Sequence, residues 1–366
     1  MAVFGIPSPD RRLRPSDLLA RVPGGLASPP AGAMIDPARG VELALVTHGH
    51  SDHARAGHDT VVATAETLAI MAARLGRTFA RRTVAARYGE PMRIGEATVT
   101  FFPAGHVLGS AQILIEAGGA RAVVSGDYKR QADPTCLPFE VVPCDLFVTE
   151  ATFALPVFRH PEARDEIAKL LASQAMFPER AHLVGAYSLG KAQRVIAELR
   201  AAGYDRPIHL HGAMVAICAL YEAFGVPLGD LRPVDLKARD PLAGEIVLCP
   251  PQAVGDRWAG RFADPVSAFA SGWMRVRAHA RMRGVELPLV ISDHADWEDL
   301  CTTIVETGAR EVWVTHGEET ALVHWCAGRG IEATPLRLVG YGREDGEDDL
   351  PPPPHDEAAG EPEATP

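Results

Sequence analysis

The chain has 366 residues, of which 47 % are hydrophobic, enough for two domains or for one large domain carrying an insertion. No apolar run is long enough to span a bilayer, and the six cysteines (136, 144, 218, 249, 301 and 326) include no Cys-x-x-Cys pair, so we read them as reduced core thiols of a cytoplasmic protein. The formal charge of −11 argues against an anionic partner, but nine acidic residues and no Lys or Arg lie between Glu344 and Pro366, and removing those nine leaves −2; bound divalent cations would add positive charge that this count misses.

Residues 1–35 are turn-rich, with Pro23-Gly24-Gly25 and Pro29-Pro30, and Met1 to Pro15 lack the apolar core expected of a secretory signal. Met34-Ile35-Asp36 reads as a short strand ending in a carboxylate, which on its own reads as the opening of an Asp-Pro turn. Val41 to Val46 alternates and then becomes wholly apolar, the pattern of a buried strand. It runs into Thr47-His48-Gly49-His50-Ser51-Asp52-His53, where four ligand-type side chains fall within six positions. The small Gly49 and Ser51 let the backbone curl so that these side chains converge. Imidazole nitrogen and carboxylate oxygen together suit zinc, and also manganese or iron. His48 and His50 can face one ion while Asp52 and His53 turn to a second, the arrangement of a two-metal hydrolase with ions about 3.5–4 Å apart.

Further along, Leu68, Met71, Ala72 and Leu75 mark one face of a helix over Ala65 to Leu75, and Arg77, Arg81, Arg82 and Arg87 read as a solvated face. Ala97 to Phe102 alternates as a strand and ends at His106, bracketed by Gly105 and Gly109. Ala122 to Ser125 is an apolar strand delivering Gly126 and Asp127, and Leu146 to Thr149 is another delivering Glu150. From about Leu155 to Glu286 the texture changes. Helical stretches at Glu162–Met176, Lys191–Ala201 and Ala213–Phe224 alternate with short strands at His182–Ala186, Pro207–His211 and Glu245–Cys249, which suggests a small α/β domain with a mostly parallel sheet. Inside it, Tyr187-Ser188-Leu189-Gly190-Lys191 leads from a strand into a helix. The Ser188 hydroxyl, Gly190 and other N–H groups at the helix start, and Lys191 form a candidate phosphate site; a capped helix with a surface lysine is the plainer alternative. Tyr187, Trp258 and Trp273 are positioned either to stack bases or to pack. After Glu286, Leu289 to Ile291 is a further apolar strand leading to Ser292-Asp293-His294-Ala295-Asp296. A helix over Trp297 to Thr307 follows, and Glu311 to Thr315 leads to His316-Gly317-Glu318. The remaining acidic stretch, with Pro351 to Pro354, has the composition of a disordered tail.

The ordered set His48/His50/Asp52/His53, His106, Asp127, Glu150, His294 and His316 resembles the metallo-β-lactamase superfamily. Ser-Asp-His-Ala-Asp and Thr-His-Gly-Glu resemble its β-CASP nuclease branch, and the likeness covers about residues 20–342. Gly-Leu-Ala-Ser, Ile-Asp-Pro and Ser-Asp-His-Ala-Asp-Trp look most like the bacterial ligase-associated DNA-damage-response exonucleases and, less closely, the eukaryotic mRNA 3′-end processing nucleases. Tyr-Ser-Leu-Gly-Lys is similar to the DNA interstrand-crosslink repair nucleases of the same branch. The resemblance implies an α/β fold: a metallo-β-lactamase αββα sandwich built from 1–155 and 287–342, a β-CASP α/β domain inserted at 156–286, and a tail at 343–366.

The resemblance also implies two divalent ions, zinc or alternatively manganese. His48, His50, His106 and Asp127 would hold one, and Asp52, His53, Asp127 and His316 the other, with Asp127 bridging. Asp36 would orient a ligand histidine from behind. The implied catalytic residues are His294, Glu150, Asp52 and Asp127, with His294 protonating the leaving 3′ oxygen and Glu150 holding its ring. The implied function is hydrolysis of single-stranded nucleic acid, as a DNA exonuclease of DNA repair working beside an ATP-dependent DNA ligase and a helicase, with no membrane partner. An RNA-processing endo- or exoribonuclease is the alternative. A small-molecule thioesterase or lactonase would share the metal loop but would not need the inserted domain, His294 or the Ser-Leu-Gly-Lys turn. A non-catalytic binding subunit would have lost ligands that are all present in this chain.

Overall fold

The computed structural model describes residues 13–235 and 242–336; the acidic tail lies outside them. Six short strands form the first sheet in chain order: β1 (Ala20–Val22), β2 (Gly25–Ser28), β3 (Ala33–Ile35), β4 (Leu43–Leu45), β5 (His58–Thr64) and β6 (Ala80–Ala86). Helix α1 (Ala65–Leu75) crosses from β5 to β6, and the Thr64 side chain caps it by accepting from Thr67 N. A meander follows, β7 (Met92–Ile94), β8 (Ala97–Pro103), β9 (Ala111–Ala117) and β10 (Ala120–Val124), and then β11 (Leu146–Ala151) pairs parallel to β10.

The chain then leaves the sandwich. Helix α2 (Ala163–Met176), β12 (His182–Gly185), α3 (Lys191–Ala201), β13 (Ile208–Leu210), α4 (Gly212–Ala223), β14 (Leu231–Pro233), β15 (Ile246–Cys249), β16 (Val266–Ala270), the short α5 (Arg277–Met282) and β17 (Leu287–Leu289) build a third sheet. Its order is β14-β13-β15-β12-β16-β17, parallel throughout. The apolar run before His294 thus differs from its expected place: Leu287–Leu289 closes the edge of this sheet beside β16 rather than forming a strand of the sandwich. Helix α6 (Trp297–Thr307), β18 (Glu311–Gly317), α7 (Glu319–Ala327) and β19 (Glu332–Pro335) return to the second sheet, whose order becomes β19-β18-β11-β10-β9-β8-β7.

Strand alternation explains the layering. Leu45, Val62, Ile113, Ile115, Val124 and Val148 point between the first two sheets into one core. Their neighbours Ala44, Val61 and Ala63 face α1, and Leu114, Val123 and Phe147 face α6 and α7. The result is helix, sheet, sheet, helix. The inserted sheet packs its own helices through Ile167, Val195, Ile196, Met214 and Tyr221, and that core continues without a break to Ile70 of α1. Strands β8, β10, β11 and β18 run in the same direction, so their carboxyl ends open on one edge of the sandwich.

Ile70 is fully buried, belongs to the core of the inserted domain, and supports the metal loop, because a Cβ at Gly49 would lie 2.5 Å from its Cγ2. Ile70→Ala is therefore expected to cost about 2–5 kcal/mol in urea unfolding. A loss below about 1 kcal/mol would show that the two parts do not share this core.

Candidate metal centre

The nine ligand-type residues singled out in the sequence meet at that one edge. His48, His50, His106 and Asp127 offer ligand atoms that all lie within 4.8 Å of one another, as do Asp52, His53 and His316, and likewise Asp127, Glu150 and His294. All are buried except the partly buried His316.

Each histidine of the first group spends one nitrogen on an oxygen and turns the other inward. The Thr47 hydroxyl donates to Asp36 Oδ2 (2.6 Å), so its oxygen accepts from His48 Nδ1 (3.1 Å). The Leu189 carbonyl accepts from His50 Nε2 (3.2 Å), and the Asp293 carbonyl from His106 Nδ1 (2.8 Å). Inward, His48 Nε2 and His106 Nε2 lie 3.1 and 3.0 Å from His50 Nδ1, and Asp127 Oδ2 lies 3.4 Å from His48 Nε2. A tetrahedral zinc bonded at about 2.0–2.1 Å to imidazole nitrogen sets its ligand atoms about 3.3 Å apart. These three separations are close to the edges of a zinc-sized tetrahedron, while that from His106 Nε2 to Asp127 Oδ2 is longer, at 3.9 Å.

Asp36 sits behind the second group. Its Oδ1 accepts from Thr47 N (2.8 Å), and its Oδ2 accepts from His53 Nδ1 (2.8 Å) as well as from the Thr47 hydroxyl. His53 Nε2 then faces Asp127 Oδ2 at 3.3 Å and Asp52 Oδ2 at 3.6 Å. His316 reaches the site through a bulge. The parallel pairing of β11 with β18 matches Glu150 to Thr315 and then Ala151 to Gly317, so His316 is an extra residue, with φ +54°. Gly317 makes this possible, since a Cβ there would sit 2.2 Å from the Ala151 carbonyl oxygen at φ +110°. Gly126 does the same for Asp127: at φ +58° its Cβ would meet the Thr47 side chain at 2.7 Å.

The electrostatics also suit cations. Asp127 sits between both groups, and its buried Oδ1 accepts no hydrogen bond. Such a buried carboxylate oxygen calls for a positive partner. Burial would raise the Asp127 carboxyl, but His53, His48 and His294 hold it well below the usual carboxylate range. Burial pushes His48 well below its ordinary value and His316 down to about 4, leaving both in the neutral form that ligates metal. The residues thus fit a pair of divalent ions: His48, His50, His106 and Asp127 for one, Asp52, His53, His316 and Asp127 for the other.

Beside them, Glu150 Oε2 and Oε1 accept from His294 Nδ1 at 2.9 and 3.1 Å, and Tyr128 N donates to Glu150 Oε1 at 2.8 Å. This fixes the ring and turns Nε2 away from the carboxylate. A cleft of about 590 Å³ leads to His50 between Ala73 and Arg74 of α1 and Ser188, Ala213 and Pro251 of the inserted domain.

The structure does not assemble the phosphate cradle expected from Ser188, Gly190 and Lys191. Ser188 lines the cleft. Gly190 N, however, donates to Gln193 Oε1 (2.8 Å), and Lys191 is buried with Nζ 3.1 Å from Asp293 Oδ2. Gln193 of the helix's own first turn takes up the Gly190 N–H, and the Tyr187 carbonyl takes up that of Ala192. Tyr187 and Trp273 pack in an aromatic core with Phe153 and Phe158, while Trp258 packs edge-on to Phe262. Sequence reasoning missed Thr47, the two carbonyls of Leu189 and Asp293, and the buried cations Lys129 and Arg194. A backbone carbonyl leaves no trace in residue identity.

Comparison with known proteins agrees with this geometry. Residues 7–184 match a beta-lactamase superfamily domain. A protein of Opitutus terrae called a probable DNA ligase is 29 % identical over 318 residues, which is 84 % of this chain and 30 % of that protein. Endoribonuclease ysh1 of Aspergillus fumigatus is 33 % identical over 108 residues (28 % of this chain, 12 % of its own length). Cleavage and polyadenylation specificity factor subunit 3 of Dictyostelium discoideum is 30 % identical over 112 residues (30 % of this chain, 14 % of its own). The chain thus spans less than a third of each of these relatives. A protein of unknown function from Enterococcus faecalis V583 shares the fold, with a TM-score of 0.52 over 75 % of both chains and 16 % identity. The fold, the ordered ligands and these matches together define a metal-dependent hydrolase scaffold, with residues 7–184 matching the beta-lactamase superfamily domain. Among the described residues no helix is long and apolar enough to cross a membrane.

Asp36 has φ +42°, a backbone state that Asn tolerates, so Asp36→Asn isolates the loss of charge. It leaves the three donors (Thr47 N, the Thr47 hydroxyl and His53 Nδ1) facing an amide. Because Asp36 stands behind His53 directly and behind His48 through Thr47, we expect bound zinc to be held about 10–100-fold more weakly in chelator competition. Unchanged affinity for both ions would remove Asp36 from any role behind the metal.

Proposed function

We propose that this protein is a two-metal nuclease that hydrolyses phosphodiester bonds in single-stranded nucleic acid, with DNA as the substrate and removal of nucleotides from an end. The observation that carries the reading is Asp127, placed between two separate ligand groups with the His294–Glu150 pair beside it. Bound divalent ions, zinc first and manganese as the alternative, would supply Lewis acidity toward water and toward the phosphoryl oxygens. The protein's own part is positioning. Asp52 and Asp127 hold negative charge where the ions sit, and Glu150 fixes the imidazole of His294. That leaves Nε2 of His294 as the donor of a proton to the departing 3′ oxygen, with Glu150 stabilising the charged ring beforehand. The cleft at His50, walled by alanines, Pro251 and Arg74, admits one strand and meets its phosphates with a guanidinium.

The choice of DNA rests on the extent of likeness. The relative similar over most of this chain bears the name of a DNA ligase, while relatives named endoribonuclease match over at most 39 % of it. We extend this to a role beside an ATP-dependent DNA ligase and a helicase in repair; of these, the likeness supports the ligase context alone. RNA processing is the second reading, favoured by the two RNA-processing relatives.

The test is cleavage of end-labelled single-stranded DNA and RNA of one sequence, with Zn²⁺ or Mn²⁺ supplied, by the wild type, Asp127→Ala and His294→Ala. Stepwise shortening of DNA, reduced at least about a hundredfold in both variants, is the expected result. Cleavage of RNA alone would replace the substrate, and hydrolysis of a thioester or lactone with neither nucleic acid cut would end the nuclease reading.

A further inference from the structure

The Tyr187–Arg194 turn is left without its expected phosphate, yet it carries a lysine and an arginine that are both at most 2 % exposed. Lys191 and Arg194 lie three residues apart on α3, on one face, and both reach the segment before His294. Lys191 Nζ pairs with Asp293 Oδ2 at 3.1 Å. Arg194 Nη1 donates to the Ser292 carbonyl and lies 3.8 Å from Asp293 Oδ1, while its Nη2 donates to Gln131 Oε1 at 3.0 Å. Lys129 Nζ closes the cluster, bonding Asp133 Oδ2 at 2.5 Å and standing 4.0 Å from Asp293 Oδ1; Arg194 Nε is 3.6 Å from that same Asp133 oxygen. Burying several charges together is costly, and such a cluster gains little stability over an apolar replacement. What it fixes is geometry.

The geometry in question is that of the first ion's ligands. Asp293, clamped by its carboxylate, accepts His106 Nδ1 with its carbonyl. Two residues before Lys191, the Leu189 carbonyl accepts His50 Nε2. Gly190 between them approaches closely enough that a Cβ would sit 2.4 Å from Val107 Cγ1. Two of the three imidazoles around that ion are thus oriented through the start of one helix of the inserted domain. His53, in the second group, is oriented by Asp36, which belongs to the sandwich.

We propose that Lys191 and Arg194 are positioning residues for the metal centre, so that the seating of the inserted domain sets the affinity for one ion, the one held by His48, His50 and His106. This rests on the metal-centre reading above, but not on the identity of the substrate. The test is Zn²⁺ titration of the metal-free full-length protein against a chromophoric chelator, with no nucleic acid present. Lys191→Met and Asp293→Asn are each expected to weaken one of two ions about 10–100-fold and to leave the other unchanged. The double variant should be no worse than Asp293→Asn alone, because that substitution already removes the contact Lys191 makes, and Lys191→Arg should restore most of the affinity. Arg194→Lys, which keeps the charge but loses the two-sided grip, should show the same selective loss and serves if Lys191→Met does not fold.

Equal weakening of both ions would mark a general structural role and overturn the proposal. So would unchanged metal affinity with a raised KM for 5′-phosphorylated substrate, which would return Lys191 to phosphate binding. A selective metal loss in a protein that cuts no nucleic acid would sink the proposed function and leave this inference standing.

Discussion

Imidazole nitrogens aimed at one another across about 3 Å repel unless something positive lies between them. His48, His50 and His106 are held in that arrangement, and much of the structure serves to keep them there. Each ring is anchored by an oxygen from a different place: a hydroxyl of the metal loop, a carbonyl of the inserted domain, and a carbonyl of the segment entering α6. Because each of those oxygens accepts, the ring nitrogen beside it must donate, and the tautomer of every ring follows. The opposite nitrogen is then committed to the cation.

The sandwich supplies the coarse placement and local irregularities supply the fine one. Parallel strands β8, β10, β11 and β18 deliver their ends to one edge, but a regular strand end would not point His316 or Asp127 correctly. A bulge with a left-handed residue at His316, and left-handed glycines at 126 and 317, make the last adjustment. The inserted domain does more than narrow a cleft. Its core merges with Ile70 beneath the metal loop, and the turn into α3 holds one ligand histidine directly, through the Leu189 carbonyl, and a second indirectly, through Lys191 and Asp293.

Much of this was legible in the sequence where the signal is local. Four ligand-type residues in six positions after an apolar strand admit few other readings, and the helices over Ala65–Leu75, Lys191–Ala201 and Trp297–Thr307 have the bounds their patterns predict. What failed was non-local or mute. A three-residue apolar run does not say which sheet it joins, so Leu287–Leu289 was assigned to the sandwich. Carbonyl acceptors have no residue signature at all. The lysine of Ser-Leu-Gly-Lys resembled a phosphate ligand because its buried carboxylate partner is over a hundred positions away. One cue was readable: a glutamine three residues after Gly190 is the mark of a helix that caps itself, and Gln193 does so.

The pairing of β11 with β18 spans the whole inserted domain. A nascent chain emerging amino-terminus first holds His48, His50, His106 and Asp127 long before it holds His294 or His316. The second sheet cannot receive β18 until the entire insertion has been made. Contacts between such distant parts of a chain form late. The centre is therefore closed only after the inserted domain has been made: a chain that ends within the insertion holds seven of the nine ligand-type residues and lacks His294 and His316.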